Sequence, residues 1–265
     1  FKMRGATNAI AQLDPAVAKR GVATHSSGNH GAALALAARL MGIKAHVVMP
    51  DNASAIKKQA VAGYGAEITF CEPTIASRDE YLAAVVQRTG ASIIHPYNDD
   101  RIIAGQGTAG LELLEEIQNL DLLLSPVGGG GLISGCAIAA KSLNAKIRVI
   151  GVEPEGADDA RRSLRAGALV PPMSPASIAD GLLAPLGDKT FAIIRRHVDD
   201  IVTVSDTAIT KAMRTVWERM KIIIEPSAAV TLAAILEGKV RITGQRCGVI
   251  LSGGNVELDR LPWGQ

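Results

Sequence analysis

Cysteine is scarce in this 265-residue chain and never patterned: Cys71, Cys136 and Cys247 stand far apart, odd in number, with no CxxC or Cys/His spacing. That excludes a disulfide framework and a zinc site of ordinary spacing, and it fits a reducing, cytoplasmic setting. Each thiol reads as a small buried hydrophobe. Charge of one sign is missing too. Lys and Arg number 28 against 26 Asp and Glu, a formal net charge of +2, so no basic field for nucleic acid or a membrane surface stands out. No apolar run reaches spanning length, and no secretory leader is visible. The glycine run at 128–131 is neither GxGxxG nor GxxxxGK[ST], so a dinucleotide fold or a nucleoside triphosphatase loop is poorly supported there. The chain opens at Phe1 with no capping or turn residues ahead of its first motif, which reads as a fragment of a longer protein.

Short strand-like runs alternate with longer helix-like segments, the signature of an α/β chain with largely parallel sheets. A first set of strands falls at residues 21–25, 45–49, 67–71 and 92–95, and a second at 122–127, 148–152, 201–204 and 249–251. Two domains follow: a small one over residues 21–97, and a larger one from 1–20 and 98–265. The stretch from Gly167 to Pro185 is proline-rich and aperiodic and reads as a surface loop. The firmest helix runs from Ser205 to Lys221, where Ile209, Met213, Val216, Trp217 and Met220 recur on one face.

Three polar, glycine-bearing segments carry the chemistry. Ser26-Ser27-Gly28-Asn29-His30-Gly31 joins the first strand to an alanine-rich helix. Unpartnered N–H groups at a helix start bind anions, and the same residues also make an ordinary helix cap, so both readings stand. Gly128-Gly129-Gly130-Gly131 follows a strand and opens a helix, a loop able to wrap a phosphate with no Cβ in the way. Ser252-Gly253-Gly254-Asn255 follows the last strand. Parallel sheets bind ligands at their strands' carboxyl ends, so these loops can converge. Lys2 acquires meaning from that company: an amine, a phosphate cup and a strand-end serine are the parts of an imine-forming cofactor site.

Taken in order, Phe1-Lys2-Met3-Arg4-Gly5-Ala6, the 26–31 segment, Gly105-Gln106-Gly107-Thr108, the tetraglycine loop and Ser252-Gly253-Gly254-Asn255 resemble the serine/threonine dehydratases and serine racemases. These are pyridoxal-phosphate enzymes of fold type II, with the tryptophan synthase β-like architecture of two domains, each a mostly parallel twisted sheet flanked by helices. The resemblance implies that Lys2 is the imine lysine and general base, and that Asn29 bonds the cofactor's ring hydroxyl. It implies that Gly128, Gly129, Gly130 and Gly131 cradle the phosphate and that Ser252 faces the pyridine nitrogen.

The implied substrate set is Ser26, Ser27, Gly28 and His30 at the carboxylate loop, with His30 a packed residue shaping the cup, and Arg78 as a cation for acidic substrates. Ser27 would return a proton on the face opposite Lys2, as in racemase-like members. Tyr97, in His95-Pro96-Tyr97-Asn98, departs from the mammalian-type racemases and matches dehydratases. In Glu153-Pro154-Glu155-Gly156-Ala157-Asp158-Asp159 the resemblance implies a structural divalent-cation site, with Glu153, Asp159 and the Ala157 carbonyl holding magnesium, calcium or manganese.

The implied activity is deamination of L-serine or L-threonine by β-elimination to a 2-oxo acid and ammonia, with serine racemisation possible. A threo-3-hydroxyaspartate ammonia-lyase is the nearest alternative, β-replacement a more distant one, and a non-catalytic binding protein on the same fold the alternative of another class. Members of this family carry a segment ahead of the lysine motif that completes the large domain, and a homodimer is expected of the full-length parent. The expected partner is a small hydroxyamino acid.

Overall fold

The computed structural model describes residues 1–26, 28–171 and 173–264. Contacts divide the chain into two compact units, one of residues 2–105 and one of Phe1 with 106–265.

The first unit is built on four parallel strands: β1 (Val22–His25), β2 (Ala45–Pro50), β3 (Glu67–Cys71) and β4 (Ser92–Ile93), in the order β3-β2-β1-β4. Val22 lies opposite Ala45 on one side and Ser92 on the other, so β1 is central. All six residues of β2 are buried, as expected of an inner parallel strand covered on both faces. The helices are α1 (Lys2–Ala11), α2 (Pro15–Ala18), α3 (Asn29–Leu40), α4 (Ala55–Gly63) and α5 (Ile75–Thr89). Small residues let α1 and α3 approach closely: Ala6, Ala9 and Ile10 share a buried cluster with Leu34, Ala37, Ala38 and Ile102. By contacts, residues 2–20 group with this sheet. Helix α6 (Asp100–Glu116) carries the chain from one unit into the other.

The second unit holds β5 (Leu122–Pro126), β6 (Arg148–Pro154), β7 (Asp200–Val204) and β8 (Cys247–Val249), again all parallel, in the order β7-β6-β5-β8. Its helices include α7 (Gly131–Leu143), α8 (Asp159–Ala166), α9 (Asp188–His197), α10 (Asp206–Met220) and α11 (Pro226–Leu236). Leu122 and Leu124 face one buried cluster, with α10 and α11, while Leu123 faces the other, with α7 and α9. The alternation along β5 thus sets helices on both faces of the sheet. The Ser205 hydroxyl caps α10 by accepting from the Ala208 N–H at 3.2 Å. Between Gly167 and Pro185 the described residues form no α-helix or strand, only one short 3-10 turn at Asp180–Leu182.

Candidate active site

In the first unit the functional residues gather at the carboxyl ends of β1 and β4, where ligands meet parallel sheets. Lys2 opens α1. Its Nζ donates to the Pro96 carbonyl at 2.8 Å, just past β4. Burial penalises the ammonium and lowers its pKa from near 10.5 to about 8. An amine so placed is a usable nucleophile and base near neutral pH.

Three histidines accompany Lys2. His30 is buried, and its Nε2 lies 3.3 Å from the Ile94 carbonyl. A carbonyl only accepts, so Nε2 carries the hydrogen and Nδ1 is left as an acceptor; Nδ1 has no hydrogen-bond partner among the described residues. Burial, then the Lys2 charge, drives the His30 pKa well below its ordinary value, so the ring is neutral. His95 accepts at Nδ1 from the backbone N–H groups of Tyr97 (3.3 Å) and Asn98 (2.9 Å), which puts its hydrogen on Nε2. Its pKa falls to about 4, through burial and then the His25 charge. The rings of His25, His95 and Tyr97 make successive edge-to-face contacts, with centroids 5.9 and 4.6 Å apart. Burial and mutual proximity lower the pKa of all three imidazoles, so the surroundings of Lys2 disfavour added positive charge.

The 26–31 segment is held by its own side chain. Ser26 Oγ accepts from the Gly28 N–H at 3.2 Å and from the Gly31 N–H at 3.0 Å, which fixes the entry to α3. Asn29 is the first residue of that helix. Ser27 lies outside the described residues. The glycines here answer to packing within the unit: a Cβ on Gly28 would sit 2.8 Å from Lys57 Cδ, and one on Gly31 would sit 2.9 Å from Val47 Cγ1. Arg78, in the first turn of α5, is partly buried, and its Nε has no hydrogen-bond partner among the described residues. Its charge reaches His25, whose pKa is lowered first by burial, with Asp79 opposing and Arg78 adding.

In the second unit the tetraglycine loop bridges β5 and α7. No side chain caps α7, and Gly130 stands at φ +89, where only glycine sits without strain. A Cβ there would also come within 2.9 Å of Leu186 Cδ2 and Thr190 Cβ. Thr190, which the sequence reading did not single out, braces the loop by donating its hydroxyl to the Gly129 carbonyl at 2.8 Å. An uncapped helix start behind a glycine loop fits a phosphate. Ser252 is buried at the end of β8, and its carbonyl accepts from the Phe1 backbone nitrogen at 3.0 Å. Beneath that loop lies a buried carboxylate the sequence also concealed. Glu225 donates its backbone N–H to the Gly253 carbonyl at 3.0 Å, and its Oε1 is 2.6 Å from where a Gly253 Cβ would be.

Glu153, at the end of β6, and Asp159, at the start of α8, are both buried, as is Ala157 between them. Burial raises the Glu153 pKa to about 8 against the Arg161 N–H that it accepts at 2.8 Å, and the Asp159 charge raises it further. Asp159 is likewise raised, by burial first. Among the described residues no group of three or more His, Cys, Asp or Glu side chains is gathered as metal ligands.

These parts, each in its own unit, define a class. An amine tuned towards neutrality and a glycine loop at a bare helix start are what a phosphorylated aldehyde cofactor needs, and the chain matches the family of pyridoxal-phosphate dependent enzymes over residues 1–253. The chain belongs to that family. It is 51% identical over 263 residues to a beta-hydroxyaspartate dehydratase of Paracoccus denitrificans, covering 99% of this chain and 84% of the relative. It is 49% identical to a serine racemase of Dictyostelium discoideum, covering 98% and 82%. Among solved structures, that of maize serine racemase superposes with a TM-score of 0.95 at 48% identity, over 97% of this chain and 80% of that one. The chain is therefore an enzyme of the ammonia-lyase and racemase kind, as its motifs implied.

Proposed function

We propose that this enzyme deaminates L-serine and L-threonine by β-elimination to a 2-oxo acid and ammonia, with racemisation of serine as a side activity. The observation that carries this is the amine of Lys2, lowered to about 8 and aimed at the carboxyl end of β4. Pyridoxal phosphate, when bound, supplies an electron sink next to the substrate Cα. Lys2 Nζ removes the Cα proton as general base. Loss of the β-hydroxyl then completes elimination of water, and hydrolysis of the enamine product yields the 2-oxo acid and ammonia. In the first unit Asn29 would bond the cofactor's ring hydroxyl, while Ser26, Ser27, Gly28 and His30 would shape the seat of the substrate carboxylate. In the second, Gly128 to Gly131 would hold the phosphate and Ser252 would be the partner of the ring nitrogen, a neutral hydroxyl that adds no charge there. Ser27 supplies the proton on the face opposite Lys2 when the outcome is racemisation.

A second reading has a specific support. The partly buried Arg78, with Nε lacking a hydrogen-bond partner among the described residues, suits a second carboxylate, as in threo-3-hydroxyaspartate. The relative from Paracoccus denitrificans is named for such a substrate. Comparing 2-oxo acid and D-serine formation from L-serine, L-threonine and L-threo-3-hydroxyaspartate ranks the readings: oxo acid from serine supports the first, turnover of hydroxyaspartate alone the second, and neither refutes both.

A hard divalent cation belongs with Glu153, Asp159 and the Ala157 carbonyl, because burial opposes ionisation of both carboxyl groups, the Asp159 charge adds to it at Glu153, and a positive charge offsets that penalty. The three cysteines form no disulfide among the described residues, which suits the cytoplasm. Exposed Met220, Ile222 and Ile223 offer an apolar face for a homodimer.

A further inference from the structure

Lys57 is out of place by ordinary rules. Helix α4 is largely exposed, yet its two buried residues are Lys57 and Val61, one turn apart on one face. Lys57 is only 8% exposed, whereas a lysine on a surface helix keeps its ammonium in water. Its side chain lies against Gly28. From the position a Gly28 Cβ would take, Lys57 Cδ is 2.8 Å away, Cε 3.1 Å and Nζ 3.4 Å, and a Gly31 Cβ would be 3.5 Å from Val61 Cγ2. Two glycines thus make room for the inner face of α4, and the one at position 28 makes room for an ammonium.

We propose that Lys57 is the positioning cation of this segment, setting its affinity for the substrate carboxylate. The inference rests on the reading of residues 26–31 as the carboxylate seat. Burial brings the charge of Nζ to bear through protein rather than water, where it acts more strongly. It adds to the positive end of the twelve-residue helix α3, and the two fields favour the same anion. An ammonium has three donors, so it keeps a protein partner while favouring a carboxylate. Neither Lys2 nor the proton it moves is involved, so the effect belongs to binding.

The test uses the cofactor-loaded enzyme with Lys57→Met, Lys57→Arg and, as a control on the segment, Ser26→Ala. L-serine binding is read from both KM and the spectral change on adding the amino acid. Lys57→Met should raise KM and the spectral Kd about tenfold or more, with kcat within about threefold, and Lys57→Arg should recover most of the loss. Unchanged binding in Lys57→Met beside a clear loss in Ser26→Ala overturns the role of Lys57 alone. Unchanged binding in both removes the carboxylate seat itself. If Lys57→Met fails to load cofactor, Lys57→Gln decides, because it keeps a polar chain of similar reach without the charge: weaker L-serine binding at near-normal kcat supports the proposal, and normal binding overturns it.

Discussion

Replacing Lys2 with methionine in the cofactor-free protein should make it more stable at neutral pH, although it destroys the proposed reactive amine. A pKa lowered from 10.5 to about 8 means that the folded chain holds the ammonium at a disadvantage. The difference of about 2.5 units corresponds to about 3 kcal/mol at pH 7. Loss of the 2.8 Å bond to the Pro96 carbonyl returns about 1 kcal/mol of that, leaving a net gain of about 2 kcal/mol. The sign depends on pH. Below pH 8 both folded and unfolded wild-type chains carry the charge, and the full penalty applies. Between pH 8 and 10.5 the unfolded chain binds more protons than the folded one, so wild-type stability rises with pH and the variant's advantage shrinks. Urea unfolding of both proteins at pH 7, 8.5 and 10 measures this. The same shift governs cofactor capture: the neutral fraction of Lys2 rises about fivefold from pH 7 to 8 and less than twofold from 8 to 9, where an ordinary lysine gains about tenfold at each step. A variant no more stable than wild type at pH 7, or capture still rising tenfold between pH 8 and 9, would refute the argument from burial.

Gly130→Ala forces φ +89 on a residue with a Cβ and drives that atom to 2.9 Å from Thr190 Cβ; cofactor affinity, titrated by absorbance, should fall at least tenfold, since a left-handed non-glycine residue alone costs about 1–2 kcal/mol. Thr190→Val keeps the shape but removes the donor to the Gly129 carbonyl; a stability loss of about 1–3 kcal/mol is expected in denaturant unfolding, with weaker cofactor binding. Added Mg²⁺ or Ca²⁺ at a hundred times its Kd should stabilise the wild type by about 2.7 kcal/mol, read as a rise in Tm, and Glu153→Gln should remove most of that rise.

Much of this was legible because the inner strands are continuous apolar runs. Leu122-Leu123-Leu124 and His46-Val47-Val48-Met49 can hardly be anything else in a chain that alternates with helices. Boundaries slipped where composition is uninformative. The last strand was expected at 249–251 but pairs at Cys247–Val249, since cysteine and glycine carry little strand signal, and β4 pairs over only two residues of the apolar run at 92–95. Helix α3 begins at Asn29 rather than within the alanines, because Ser26 Oγ gathers two N–H groups ahead of them. Lys2, Asn29, the glycine loop and Ser252 stood out by type and order. Thr190, Glu225 and Lys57 did not: each packs against a glycine of a loop distant in sequence, a proximity that only the fold creates. Residue type announces chemistry; only packing announces what holds it in place.

Whether Lys2 is the reactive amine is decided by 2-oxo acid release from L-serine and L-threo-3-hydroxyaspartate, with pyridoxal phosphate present, in wild type beside Lys2→Ala. Steady release with at least one substrate is expected in the wild type, together with a lysine-linked cofactor absorbance band, and loss of both in the variant. Release that persists undiminished in Lys2→Ala would contradict that role.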